Sequence, residues 1–168
     1  PSGHAAAIVC NPNNPTGRLY ETDALVDFAE RCRDADATLI VDEAFLDFTD
    51  GATMAEHPGT IVLRSLTKIF GLPGLRAGFA VAVDDLVDRL ERARPSWAMS
   101  TPAADVGAYC LRQSDFVDRV RERVATERER LAAELTRRFE VGPSEAPYLL
   151  CRVRDESVDD VLDEAREH

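Results

Sequence analysis

Lysine is almost absent from this chain: Lys68 stands alone against 19 arginines in 168 residues. Charge does not explain its retention, because arginine carries charge at least as well but cannot form an imine at neutral pH. A partly desolvated lysine can lose its proton and attack a carbonyl, whereas a surface lysine left by drift would have no chemical company. Other scarcities exclude whole classes. No long run of one charge sign occurs, and the net charge is -11, from 31 acids against 20 bases. That balance argues against nucleic acid and an anionic membrane surface as partners. No apolar segment approaches a membrane span, no signal peptide is visible, and there are no repeats or low-complexity stretches. The four cysteines, Cys10, Cys32, Cys110 and Cys151, form no CxxC pair and no metal-type cluster with histidine. They read as small core residues of a protein in a reducing compartment, the cytoplasm, with no metal site.

What is present fits one ordinary domain with a real core: hydrophobic residues make up 45% of the chain. The acidic, arginine-for-lysine composition fits a halophilic source, with a GC-rich genome as the duller explanation. The chain opens at Pro1 without a methionine and enters a strand-like run within a few residues. It closes at Glu167-His168 still in helical pattern. Both ends read as cut, and a longer parent chain is expected.

Short apolar runs alternate with helical patterns. Ala5 to Cys10 reads as a buried strand, followed by the breaker cluster Asn11-Pro12-Asn13-Asn14-Pro15-Thr16-Gly17. A helix is expected from Thr22 to Arg33, then strands at Thr38 to Val41, Thr60 to Leu63 and Arg76 to Val83. This alternation predicts an α/β layer with a mostly parallel sheet. The texture changes after Pro95. Pro102 to Leu111 and Phe116 to Phe139 read as helices, the second with Val117, Val120, Val124, Leu131 and Leu135 in one stripe. Tyr148 to Val153 reads as a strand, and Ser157 as the cap of a last helix. A smaller α/β domain is thus expected to begin near residue 140.

Ligands of open parallel sheets bind beyond the carboxyl ends of the strands, and three strand exits here carry capable groups. The first offers Asn14, the second Asp42, and the third Ser65, Thr67 and Lys68, with Arg76 shortly beyond. An amine, a carboxylate, an amide, two hydroxyls and a guanidinium match what pyridoxal phosphate demands of a protein. Singly each has a plain alternative: Asp42 a cap, Asn14 part of a turn, Arg76 a surface ion pair.

Asn-Pro-Asn-Asn-Pro-Thr-Gly (11–17), Val-Asp-Glu-Ala-Phe (41–45) and Ser-Leu-Thr-Lys-Ile-Phe-Gly-Leu-Pro-Gly-Leu-Arg-Ala-Gly (65–78) stand in the order found in one family. Over essentially its whole length the chain resembles the class I/II aminotransferases, fold type I enzymes dependent on pyridoxal 5'-phosphate. The resemblance implies a sheet with helices on both faces. Residues 1–112 would be the C-terminal portion of the large cofactor domain, 113–139 a connecting helix and 140–168 the start of the small domain. It implies that Lys68 carries the cofactor and Asp42 pairs with its ring nitrogen. Asn14 would donate to the phenolic oxygen, and Ser65 and Arg76 would hold the phosphate, with Thr67 and Phe45 also at the cofactor. It makes Asn14-Pro15 a candidate cis peptide.

Phe45 departs from the tyrosine that many members carry there, and so cannot donate a second hydrogen bond to the phenolic oxygen. Asp-Glu-Ala-Phe-Leu-Asp-Phe (42–48) with Ser-Leu-Thr-Lys looks most like threonine-phosphate decarboxylases. Ser-Thr-Pro-Ala-Ala-Asp (100–105) is similar to histidinol-phosphate aminotransferases. An amino acid or amino phosphate is the expected substrate, with decarboxylation leaning ahead of transamination. By the same resemblance the phosphate-binding turn and ring-stacking aromatic lie upstream of Pro1, the carboxylate-gripping arginine downstream of His168, and the full site in a homodimer. The isolated chain is therefore expected to be a poor catalyst.

Two other readings compete. Ser65-x-x-Lys68 fits the spacing of penicillin-binding serine hydrolases, but those need a Lys-Thr-Gly strand, and there is no second lysine. A non-catalytic, cofactor-binding sensor domain would carry a helix-turn-helix upstream, and none is visible in this acidic chain.

Overall fold

The computed structural model describes residues 3–83, 85–154 and 157–166. Four strands, β1 (Ala6–Cys10), β2 (Thr38–Asp42), β3 (Thr60–Ser65) and β4 (Gly78–Ala82), form one sheet in the order β1-β2-β3-β4. The first three run parallel and β4 is antiparallel to β3. The mostly parallel α/β sheet expected from the alternation is therefore present. The parallel register carries Cys10, Asp42 and Leu63 to one level at the carboxyl edge.

Helix α1 (Thr22–Asp34) turns Leu25, Ala29 and Cys32 onto one face of the sheet, against Leu39, Val41 and Val62. The alternation of the strands requires this: Leu39 and Val41 share a face, and both are fully buried. Burying such aliphatic side chains stabilises each by about 1.5–3 kcal/mol. On the opposite face Ile8 is 73% and Leu63 40% exposed. A second cluster, Leu66 with Ala77 and Ala103, joins α2 (Leu66–Ile69) to α4 (Thr101–Cys110). Ser100 caps α4 by accepting from the Ala103 N–H at 3.3 Å.

Helix α3 (Asp85–Ala93) was not singled out by the sequence reading. Its apolar Val87 and Leu90 remain exposed, so tertiary contact contributes little to it. Helix α5 (Ser114–Leu135) ends short of Phe139; a turn follows in which Phe139 N–H donates to the Leu135 carbonyl. No residue of α5 is fully buried, despite its apolar stripe. It is fixed at its start by Phe116 stacking on Phe70 and by Arg121 donating to the Asp47 carbonyl at 3.1 Å.

Beyond α5, β5 (Glu140–Val141) pairs antiparallel with β6 (Cys151–Arg152). The strand expected over Tyr148 to Val153 shrinks to these two residues. The preceding stretch instead spends its polar groups on the Asn-Pro loop: Glu145 N–H donates to the Gly17 carbonyl at 2.8 Å. Helix α6 (Val158–Arg166) closes the described fold, capped by Ser157, which accepts from Asp160 N–H.

Candidate active site

The three parallel strands deliver their exits to one edge. At the end of β1 the chain turns through two cis peptides, Asn11-Pro12 and Asn14-Pro15; only the second was expected. Asn11 is buried and organises this loop. Its N–H donates to the Asp42 carbonyl at 2.8 Å, and its side-chain oxygen accepts from Tyr20 N–H at 2.8 Å. Asn14 projects at the exposed tip, and its side-chain amide has no protein partner among the described residues.

Asp42 ends β2. One carboxylate oxygen accepts from Ala44 N–H at 3.0 Å, so the cap role is real and occupies one oxygen only. Glu43, which the sequence reading passed over, turns to the opposite side and is completely buried. It accepts from Thr53 Oγ1 at 2.6 Å, from Met54 N–H at 2.8 Å and from Arg64 at 3.3 Å. Arg64 also pairs with Asp47. A buried carboxylate is tolerable only when satisfied in this way, and the network pins the backbone next to Asp42.

Phe45 follows, and its ring lies 5.5 Å from Lys68 Nζ. Lys68 itself is exposed on α2, which begins directly at the end of β3. Ser65 caps α2: its Oγ accepts from Thr67 N–H at 3.3 Å and lies 2.9 Å from Thr67 Oγ1. Arg76 leaves the next turn at φ 54°, a left-handed conformation that reverses the chain into β4, and donates to the Pro73 carbonyl at 3.0 Å. Of the seven residues singled out from sequence, the structure thus joins Lys68 to Phe45 and Ser65 to Thr67. Asn14 and Arg76 stand at the same edge of the chain's turns without a hydrogen bond or ion pair to the others among the described residues. No ion pair joins Lys68 to Asp42 among those residues either.

Tyr148 is the residue sequence reasoning missed. Its ring meets Phe45 edge-on, with centroids 5.1 Å apart and planes at 86°. Its hydroxyl donates to the Asn13 carbonyl at 3.2 Å. Burial, then the neighbouring Cys10 and Asp42, push its phenol up to about 12, so it stays a neutral donor. Cys10 is raised too, chiefly by burial and further by Asp42, while a hydrogen bond from the Asn14 backbone opposes the rise. A cleft of about 840 Å³ lies between 16–22, 50–52, 142–145 and Leu150. Neither Lys68 nor Asp42 lines it; both stand at the strand exits instead.

Known proteins resemble this chain in sequence or in fold. A histidinol-phosphate aminotransferase from Archaeoglobus fulgidus is 34% identical over 162 residues, which cover 94% of this chain and 46% of that protein. The crystal structure of the histidinol-phosphate aminotransferase from Clostridium acetobutylicum matches with a TM-score of 0.88 at 23% identity, over 97% of this chain and 52% of that one. That of L-threonine-O-3-phosphate decarboxylase from Porphyromonas gingivalis matches with a TM-score of 0.83, also at 23% identity, over 97% of this chain and 52% of that one. At such identity the two structures speak for the fold alone. The chain spans about half the length of the curated relatives it matches. The family model for aminotransferase class I and II matches residues 2–166, and with the fold and strand exits above it, the chain belongs to that family.

Proposed function

We propose that the chain is the cofactor-carrying portion of a pyridoxal-phosphate enzyme that decarboxylates L-threonine O-3-phosphate. The observation that carries the cofactor reading is the uncommitted state of the polar groups at the sheet edge. A merely structural cluster would spend Lys68 on Asp42 and Arg76 on another carboxylate. Instead Lys68 has the Phe45 ring as neighbour and Arg76 a backbone carbonyl. The donor set fits the cofactor group by group.

Bound pyridoxal phosphate would supply an electron sink for the bonds at the substrate Cα. Lys68 would hold its aldehyde carbon, and the lysine amine, when free, is the group available to accept and return a proton at Nζ. The Asp42 carboxylate would keep the ring nitrogen protonated. The Asn14 amide would donate to the phenolic oxygen, and Phe45 would border it without donating. Ser65 and Thr67 hydroxyls with the Arg76 guanidinium would take the phosphate. In this reading residues 1–112 belong to the large domain, 113–139 link, and 140–168 begin the small domain of a homodimeric parent.

The decarboxylase is supported by the run 42–48, with phenylalanine at position 45, together with Ser65-Leu66-Thr67-Lys68. A second reading, transamination of histidinol phosphate, is favoured by the 34% identity to an enzyme of that name. The full-length parent protein decides. It should be yellow, and Lys68→Ala should abolish the visible band; an unchanged spectrum in that variant ends the cofactor reading. Threonine phosphate should release carbon dioxide, whereas amino transfer from histidinol phosphate to a keto acid, without such release, selects the second reading.

A further inference from the structure

The peptide unit between Asn13 and Asn14 is held at its oxygen by two donors. Its carbonyl, that of Asn13, accepts from Gly17 N–H at 2.7 Å and from Tyr148 Oη at 3.2 Å. On the loop's other side the Cys10 thiol donates to the Pro12 carbonyl at 3.3 Å. The Asn13-Asn14 peptide is planar, so holding its oxygen with two donors restrains the plane and with it the position of the Asn14 Cα. That Cα carries the amide side chain. Tyr148 reaches this plane from 135 residues away in sequence. Its own segment is anchored by Glu145 N–H on the Gly17 carbonyl and by Arg128 donating to the Glu145 carbonyl at 2.8 Å. Its ring also braces Phe45, the neighbour of Lys68.

Resting on the assignment of Asn14 above, we propose that Tyr148 is a positioning residue, whose hydroxyl sets the peptide plane that aims the Asn14 amide at the cofactor's phenolic oxygen. The hydroxyl stays protonated across the working pH range, so this grip does not switch with pH in that range. Asn14 acts at the cofactor; Tyr148 acts through Asn14.

An amide donor at the phenolic oxygen stabilises its anionic form, so a misdirected donor leaves the bound chromophore holding its proton more tightly. The test uses the full-length protein with its cofactor and follows the visible band against pH. Tyr148→Phe keeps the ring against Phe45 and removes only the hydroxyl. It should raise the titration midpoint by roughly 0.5–1 pH unit, the equivalent of one hydrogen bond. Asn14→Ala should raise it as well, and adding Tyr148→Phe to Asn14→Ala should move it no further. A shift in Asn14→Ala with none in Tyr148→Phe overturns the proposal and leaves the cofactor reading intact. Equal Tyr148→Phe shifts in both backgrounds also overturn it, because the hydroxyl would then act without Asn14. A wild-type protein with no visible band removes the cofactor reading and this proposal together.

Discussion

Cys10 and Asp42 are register partners at the carboxyl ends of β1 and β2, placing a thiol beside the carboxylate proposed for the cofactor nitrogen. Burial is the main reason the thiol resists ionisation, and the Asp42 charge adds to it. A protonated thiol is a poor nucleophile, so in the proposed reading this sulfur does not compete with Lys68 for the cofactor aldehyde.

Cys10 should therefore alkylate slowly at neutral pH, and its rate should rise only well into the alkaline range. Asp42→Asn removes the smaller of the two causes that raise it. The midpoint of the Cys10 alkylation profile, resolved by peptide mapping, should then fall part of the way toward the ordinary thiol value. An unmoved midpoint would show that the carboxylate does not reach the sulfur.

Tyr148 adds a pH dependence of its own. Its phenol rises from 10.0 to about 12 in the folded chain, through burial first and then through Cys10 and Asp42. The fold thus favours the neutral phenol. That contribution to stability is complete below about pH 10 and is lost as pH climbs through about 12. Urea midpoints of wild type should fall more between those pH values than those of Tyr148→Phe. Parallel curves would mean the phenol is not perturbed.

The fold was legible wherever local pattern and buried face coincide. Leu39 and Val41 alternate because β2 is covered by α1, and Lys68 and Asp42 stood out because strand exits concentrate chemistry. Tyr148 was illegible for the opposite reason. It sits in an apolar run that looks like a strand, yet its backbone neighbours are taken up by a loop more than a hundred residues earlier. Glu43 was hidden by adjacency: Asp42-Glu43 reads as one polar exit, and only the alternation of side chains sends one to the open sheet edge and the other into the core. The short α3 left no decisive signal because its apolar residues find little to bury against.

Glu43 gives the clearest stability test. Its carboxylate is fully buried, and three donors depend on it. Glu43→Ala would strand the Met54 N–H and remove one of the two carboxylates that hold Arg64, whose Nε is already without a partner. Asp47 still pairs with the guanidinium, which keeps the loss near the low end for a broken buried pair, about 3 kcal/mol. Urea denaturation should show it as a lower midpoint. A loss under about 0.5 kcal/mol, typical of an exposed pair, would mean the network contributes nothing.

Gly17 tests how the segment 142–150 is docked. The glycine adopts φ +71°, and a Cβ built there would lie 1.8 Å from Ser144 Oγ and 2.5 Å from Ser144 Cβ. Gly17→Ala therefore meets two separate obstacles, a left-handed backbone and a side chain in its way. The backbone alone costs about 1 kcal/mol for a residue with a Cβ, and overpacking adds roughly 1–3 kcal/mol. Ser144→Gly removes the Oγ and Cβ but leaves the Cα at 3.0 Å, and it gives up the Ser144 Oγ bonds to the Tyr148 carbonyl and from Ala146 N–H. The cost of Gly17→Ala should therefore be read in the Ser144→Gly background, where it should be smaller than in wild type but should keep its backbone share. Slow hydrogen exchange at Glu145 N–H, which bonds the Gly17 carbonyl, should likewise suffer less from Gly17→Ala in that background. An equal cost of Gly17→Ala in the wild-type and Ser144→Gly backgrounds would place that cost in the backbone, and the clash between the loop and the Ser144 side chain would not be what selects glycine at this position.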